Sequence, residues 1–123
     1  MEEKMSKIFR FNENNVCCNP DVIRINDYVT IEIAKLGFTW ISGHHYYFTM
    51  TSSGKPCAPW KLFRTRDEAV KYEIKGLIEN LEHSIKDHKD SEFFGNTINK
   101  MKKSVKDLKQ YLFDITHVQL SLF

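Results

Sequence analysis

The stretch Tyr28-Val29-Thr30-Ile31-Glu32-Ile33-Ala34 decides the fold class. Val29, Ile31 and Ile33 alternate with Thr30, Glu32 and Ala34, a period of two with one apolar face. Successive strand side chains point to opposite faces, so the pattern predicts a half-buried antiparallel strand. Such a strand needs paired neighbours and a layer over its apolar face. Downstream, Lys35-Leu36-Gly37 predicts a hairpin connection, with Gly37 able to take positive φ. Phe38 to Met50 then reads as a long aromatic strand, with a bulge or twist point expected at Gly43. His44, Tyr46, Phe48 and Met50 form its more apolar face and are assigned to the core. Upstream, Val22 to Ile25 predicts a short strand. The run Asn12-Glu13-Asn14-Asn15 and the triplet Asn19-Pro20-Asp21 predict turns.

Beyond the aromatic strand, Thr51 to Pro56 reads as a loop. Cys57 to Phe63 reads as a last short strand at the sheet edge, where Pro56 and Pro59 are tolerated. Helix signals then take over. Thr65-Arg66-Asp67-Glu68 matches a capping box, and Val70, Ile74, Leu77, Leu81 and Ile85 follow as one helical stripe. Gly76 within it costs about 1 kcal/mol of helix propensity. A second stripe, Phe94, Ile98, Met101, Val105, Leu108, Leu112 and Ile115, has the alternating four-three spacing of a helix packed on another helix. The expected architecture is α+β: a small antiparallel sheet of three to four strands followed by two helices packed on it, and an extended C-terminal tail. The strands fall within about residues 22–63 and the helices at about 66–86 and 95–113. Residues 1–115 form a single domain and 116–123 a peptide tail.

Composition bounds the alternatives. A chain of 123 residues has room for one hydrophobic core. At 41% hydrophobic, with 9 Phe, 5 Tyr and 2 Trp, it can offset the entropy of folding and is no disordered tail. Eighteen Lys and Arg against sixteen Asp and Glu leave a net charge of +2, too little to argue nucleic-acid binding from bulk charge. Three cysteines, two of them adjacent, make a poor disulfide framework and fit a reducing compartment. The sequence offers no apolar leader and no membrane-spanning run, so a cytoplasmic protein without membrane partners is expected.

Chemical motifs are sparse. Cys17, Cys18, Cys57, His44 and His45 lack the paired spacing of a zinc site, and His44 and His45 face opposite sides of a strand. No short motif supplies a nucleophile with its base and orienting group, and there is no phosphate-binding glycine loop. No catalytic residue, metal or cofactor is expected, and the chain reads as a non-enzyme. Tyr46, Tyr47 and Phe48 read as one core face and a lone exposed Tyr47 rather than as a base-stacking platform. Outside the second helical stripe stand Lys100, Lys102, Lys103, Lys106 and Lys109. They offer an alternative reading, a small nucleic-acid-binding module contacting the phosphate backbone of DNA without sequence discrimination. A further alternative is a structural or regulatory homodimer built on the 94–115 stripe, although intramolecular packing over the sheet is preferred.

The last residues carry the strongest functional signal. Leu120, Leu122 and Phe123 are three large apolar side chains within four positions, beyond the end of the helical stripe. Gln119-Leu120-Ser121-Leu122-Phe123 resembles the pentapeptide by which bacterial replication and repair proteins bind the ring-shaped DNA polymerase sliding clamp, and fits it at all five positions. The resemblance implies that Gln119 is held by polar groups at a pocket edge, Leu120 makes an apolar contact and Ser121 is a spacer. Leu122 and Phe123 would fill the deep cleft. Arg10 to Asp21 also resembles the start of small proteins carried by bacterial mobile elements, which implies a phage, plasmid or integrative-element origin. The expected function is a non-enzymatic adaptor or inhibitor docking on the clamp.

Overall fold

A computed structural model describes residues 7–49, 53–88 and 95–121, apart from the side chains of residues 88, 95 and 117–121. Four strands follow in order: β1 (Asp21–Arg24), β2 (Val29–Leu36), β3 (Thr39–Tyr46) and β4 (Ser53–Phe63). Two helices follow, α1 (Arg66–His88) and α2 (Gly95–Ser121). Each strand pairs antiparallel with the next, so sheet order is chain order, as short connections favour. The molecule is the expected α+β arrangement, a four-stranded antiparallel sheet with two helices packed on it.

The β2–β3 hairpin runs in unbroken register from Val29 opposite Tyr46 to Leu36 opposite Thr39. Gly37 closes it at φ 66°, a left-handed conformation that a side chain would oppose. Between β1 and β2, the Asn26 side-chain oxygen accepts from the Tyr28 and Val29 amides at 2.8 and 3.0 Å. Its amide group donates to Asp107 Oδ2 at 2.8 Å and Ser104 Oγ at 3.2 Å, tying this turn to α2.

The edge strand β4 departs from the sequence reading. It begins at Ser53, so the described part of the expected loop, residues 53–56, belongs to the sheet. Opposite β3 it carries surplus residues: Trp40 faces Phe63, Ser42 faces Ala58 and His44 faces Lys55. These two register shifts bulge the strand around Pro56 and Pro59, which an edge tolerates because one side of it makes no ladder bonds. Gly43 is what lets the bulge close. A Cβ there would lie 2.4 Å from the Lys55 carbonyl oxygen and 2.6 Å from the Cys57 nitrogen.

The helices cover one sheet face. Val29, Ile31 and Ile33 from β2, with Phe48 and Phe63, meet Ala69, Val70, Ile74, Leu77, Ile78 and Leu81 of α1 and Val105 and Leu108 of α2. Met101, Leu112 and Ile115 pack against the same core, so the described part of the heptad stripe is used within the chain. His44, Tyr46 and Phe48 do lie on this side, and their rings stack in series with centroids 5.8 and 5.0 Å apart. Phe94 and Met50 lie outside the described residues. The opposite face is covered as well, which the alternation did not foretell. Phe9, Phe11 and Cys17 pack there on Ala34, Leu36, Ile41 and Cys57. The expected Asn12–Asn15 turn folds this segment back: Asn12 Oδ1 accepts from the Asn14 and Val16 amides, and Asn15 takes φ 63°. The Cys17 amide then bonds the Cys57 carbonyl oxygen at 2.9 Å.

Thr65 caps α1, its hydroxyl accepting from the Glu68 amide at 3.1 Å. Glu68 reaches back one residue further than in the simplest capping box, accepting from the Arg64 amide at 3.1 Å. The end of α2 corrects an expectation: residues 116–121 were expected in an extended tail, yet the helix continues through Ser121. No proline or glycine stands between Asn96 and Ser121, and extending a formed helix fixes only one residue per added hydrogen bond. Among the described residues no helix is long and apolar enough to cross a membrane.

Candidate functional site

Of the pentapeptide Gln119-Leu120-Ser121-Leu122-Phe123, the structure describes only the backbone of the first three residues. Gln119, Leu120 and Ser121 have helical backbone in the last turn of α2. Their side chains, and all of Leu122 and Phe123, lie outside the described residues.

The five lysines of α2 stand in different surroundings. Lys100 Nζ donates to the Phe48 carbonyl oxygen at 3.4 Å and lies 5.4 Å from the Tyr28 ring centroid. Lys103 pairs with Asp107 at 3.0 Å and Lys109 with Glu82 at 2.8 Å. Lys102 and Lys106 are exposed and, together with Lys109 and Phe113, line a shallow depression. Tyr47 is half exposed, as the core reading of the aromatic strand expects.

The structure also assembles a polar site that sequence reasoning missed. Glu73 of α1 is 2% exposed and faces the sheet. Its carboxylate accepts from Ser42 Oγ at 2.7 Å and from His44 Nδ1 at 2.5 Å, and Lys55 Nζ lies 3.4 Å away. Ser42 and His44 reach it because they alternate on the helix-facing side of β3, and Lys55 because it is paired with His44 across the bulge. Burial opposes the charge on Glu73, but hydrogen bonds from His44 and Ser42 and the Lys55 ammonium outweigh it. The carboxyl is held below its usual range. An ionised carboxylate only accepts, so His44 donates through Nδ1 and Ser42 through its hydroxyl. The signal was present in part. His44 was assigned to the core face, and a buried imidazole needs a partner. Glu73 sits between Val70 and Leu77 on the apolar stripe of α1, the one acidic residue within that buried turn.

Two depressions share His44 and Lys55. One, of about 300 Å³, extends toward Glu32, His45 and Gly54. The other, of about 190 Å³, extends along α1 toward Tyr72 and Asn80. Burial raises the Glu32 carboxyl above its usual range, against the opposing effect of His45 and His44. An imidazole held by a carboxylate is the arrangement used for proton transfer. Here, however, the adjacent Ser42 hydroxyl is committed to Glu73, and no nucleophile completes the set among the described residues. The quartet is foremost a polar joint between the bulged edge of the sheet and α1.

Cys17 and Cys57 are buried in the smaller core, and Cys18 is exposed. Burial pushes the Cys57 thiol up to about 12 and raises Cys17 as well, which leaves both thiols unreactive. Among the described residues no three His, Cys, Asp or Glu side chains are grouped to hold a metal ion. Comparison with protein-family models, with curated proteins and with solved structures finds no match to this chain.

Proposed function

We propose that this chain is a non-enzymatic adaptor or inhibitor that docks on the bacterial DNA polymerase sliding clamp through Gln119-Leu120-Ser121-Leu122-Phe123. The observation that carries this reading is the fit of all five residues to the clamp-binding pattern. A second feature of the sequence supports it. The core-facing stripe of α2 runs Ile98, Met101, Val105, Leu108, Leu112, Ile115, and the next position of that spacing is Gln119, a polar residue. Of the apolar side chains beyond it, Leu120 and Phe123 fall off the spacing that builds this core, whereas Leu122 takes its next position.

Docking as an extended peptide requires the last turn of α2 to unwind. The final four carbonyl groups of a helix have no intrahelical partner, and terminal turns open at little free-energy cost. Once docked, Phe123 and Leu122 would supply most of the affinity by filling an apolar pocket, with Gln119 fixing orientation. Tethering raises the effective concentration of the body near the clamp and excludes other proteins that use the same pocket.

The test is a binding measurement on purified clamp with three proteins: the full chain, a chain ending at Val118, and Phe123→Ala. Binding by the full chain, its loss on truncation and a loss of at least tenfold for Phe123→Ala are expected. Equal retention of all three on the clamp, or of none, overturns the reading.

A further inference from the structure

A second surface, independent of residues 119–123, lies where the end of β4 meets the first half of α1. Here a groove of about 520 Å³ is lined by four cations, Lys61, Arg64, Lys71 and Lys75, against a single carboxylate, Glu68. We propose that this groove binds a single-stranded polynucleotide, with the cations on its phosphates and Tyr72 stacked against a base.

The charge argument is local. Residues 53–76 hold six basic and three acidic side chains, whereas the whole chain is only +2. The three acidic groups are already engaged. Glu73 is buried with His44, Ser42 and Lys55 on the far side of α1's first turns. Asp67 pairs with Lys71 at 3.0 Å, and Glu68 accepts from the Arg64 amide at the helix start. Among the described residues no carboxylate pairs with Lys61, Arg64 or Lys75, and all three are exposed. The positive end of the α1 dipole lies at this same end of the groove. This differs from α2, where Lys103 and Lys109 each pair with a carboxylate and Lys100 is engaged by the Phe48 carbonyl oxygen.

The apolar component selects the ligand class. Tyr72 is 44% exposed and Leu62 is 54% exposed, so an aromatic ring and an aliphatic side chain lie among the cations. Phe63 lies against the Tyr72 ring, tilted to it by 49°, with centroids 5.0 Å apart. Lys61 Nζ lies 4.6 Å from the Tyr72 centroid. An exposed cation–π contact of this kind is weaker than a stacked base, so Lys61 can turn to a phosphate as a base takes its place on the ring. An acidic peptide would use the cations and leave Tyr72 idle. A duplex hides the base faces that Tyr72 would stack on.

The experiment measures fluorescence anisotropy with the full chain and labelled oligo(dT), oligo(rU), a duplex and polyglutamate at low salt. Both single strands should bind more tightly than the duplex and polyglutamate. Their log affinity should fall with log salt at a slope of roughly −2 to −3, as three or four phosphates require. Tyr72→Leu should weaken binding roughly fivefold or more with the slope unchanged, and Lys75→Ala should reduce the slope by about 0.7. Lys102→Ala with Lys106→Ala, and removal of residues 119–123, should change neither. Thermal melts of each variant separate loss of binding from loss of fold. Absence of single-strand binding at low salt, equal binding of polyglutamate or duplex, or loss through Lys102 and Lys106 instead of Tyr72 and Lys75 overturns the proposal.

Discussion

Glu73 carries a charge in a place where an apolar side chain would pack without one. Its stability contribution is therefore conditional on its three partners. Replacing it by Ala leaves the His44 and Ser42 donors unpaired in the interior, and breaking a buried pair of this kind costs about 3–5 kcal/mol. Urea denaturation of Glu73→Ala should show a loss of that size, and adding His44→Leu should recover part of it. A loss below about 1 kcal/mol would mean that the site hydrates freely. The pH dependence has a definite sign. The folded-state Glu73 carboxyl lies below its unfolded value, so its contribution is full above the unfolded value, roughly pH 4 to 5, and is lost as pH falls through the folded one. Glu32 acts oppositely: raised in the fold, it favours folding at low pH and loses that contribution as pH rises. Glu73→Gln should therefore flatten the acid limb of a stability-versus-pH curve, and Glu32→Gln should raise stability near neutrality. Gly43 is the other residue on which the site depends. Gly43→Ala must push apart the backbone of Lys55 to Cys57 and should cost several times the few tenths of a kcal/mol expected of an exposed strand change.

At the scale of elements, the two helices make contrasting predictions. Gly76 is half-buried in α1, yet a Cβ there meets nothing within 4 Å. Gly76→Ala should thus stabilise the chain by about 0.5–1 kcal/mol, visible as a higher denaturation midpoint, because it removes backbone entropy from the unfolded state. Leu108 is fully buried between α2 and the core, and Leu108→Ala should cost about 2–5 kcal/mol. The same contrast governs what could be read from the sequence. The central strand β2 and the two helices were legible because each carries a periodic apolar pattern: alternation in β2, and regular stripes in α1 and α2. What escaped was set by contacts between segments. The start of β4 at Ser53 depends on pairing with Tyr46, and no local propensity of Ser53-Gly54-Lys55-Pro56 announces a strand. The second covered face of the sheet depends on Phe9 and Phe11 folding back over Ala34 and Ile41. The Glu73 site joins residues 29 and 31 positions apart in the chain, and each alone reads as an ordinary helix or strand residue. Helix α2 runs past the end of its apolar stripe because the stripe marks only where one helix face stops being buried.

For the whole molecule, the question is whether residues 119–123 belong to the folded unit or stand apart from it. The described core is closed by α2 side chains as far as Ile115, with Leu108 at its centre and Tyr111 and Leu112 packed against it. If the apolar residues beyond Gln119 are held for a partner, removing them deletes little buried area. Only the hydrogen bonds of the last helical turn should be lost, within about 0.5 kcal/mol of no change. If they were buried in this core, each large side chain would contribute roughly 1.5–3 kcal/mol. Three together would then lower stability by more than 4 kcal/mol on truncation, a large share of the stability of a domain this size. Urea denaturation of the full chain beside a chain ending at Val118 separates these outcomes without reference to any partner. Coincident midpoints are expected. A collapse of the shorter chain would assign Leu120, Leu122 and Phe123 to the interior and overturn the proposed docking on a sliding clamp.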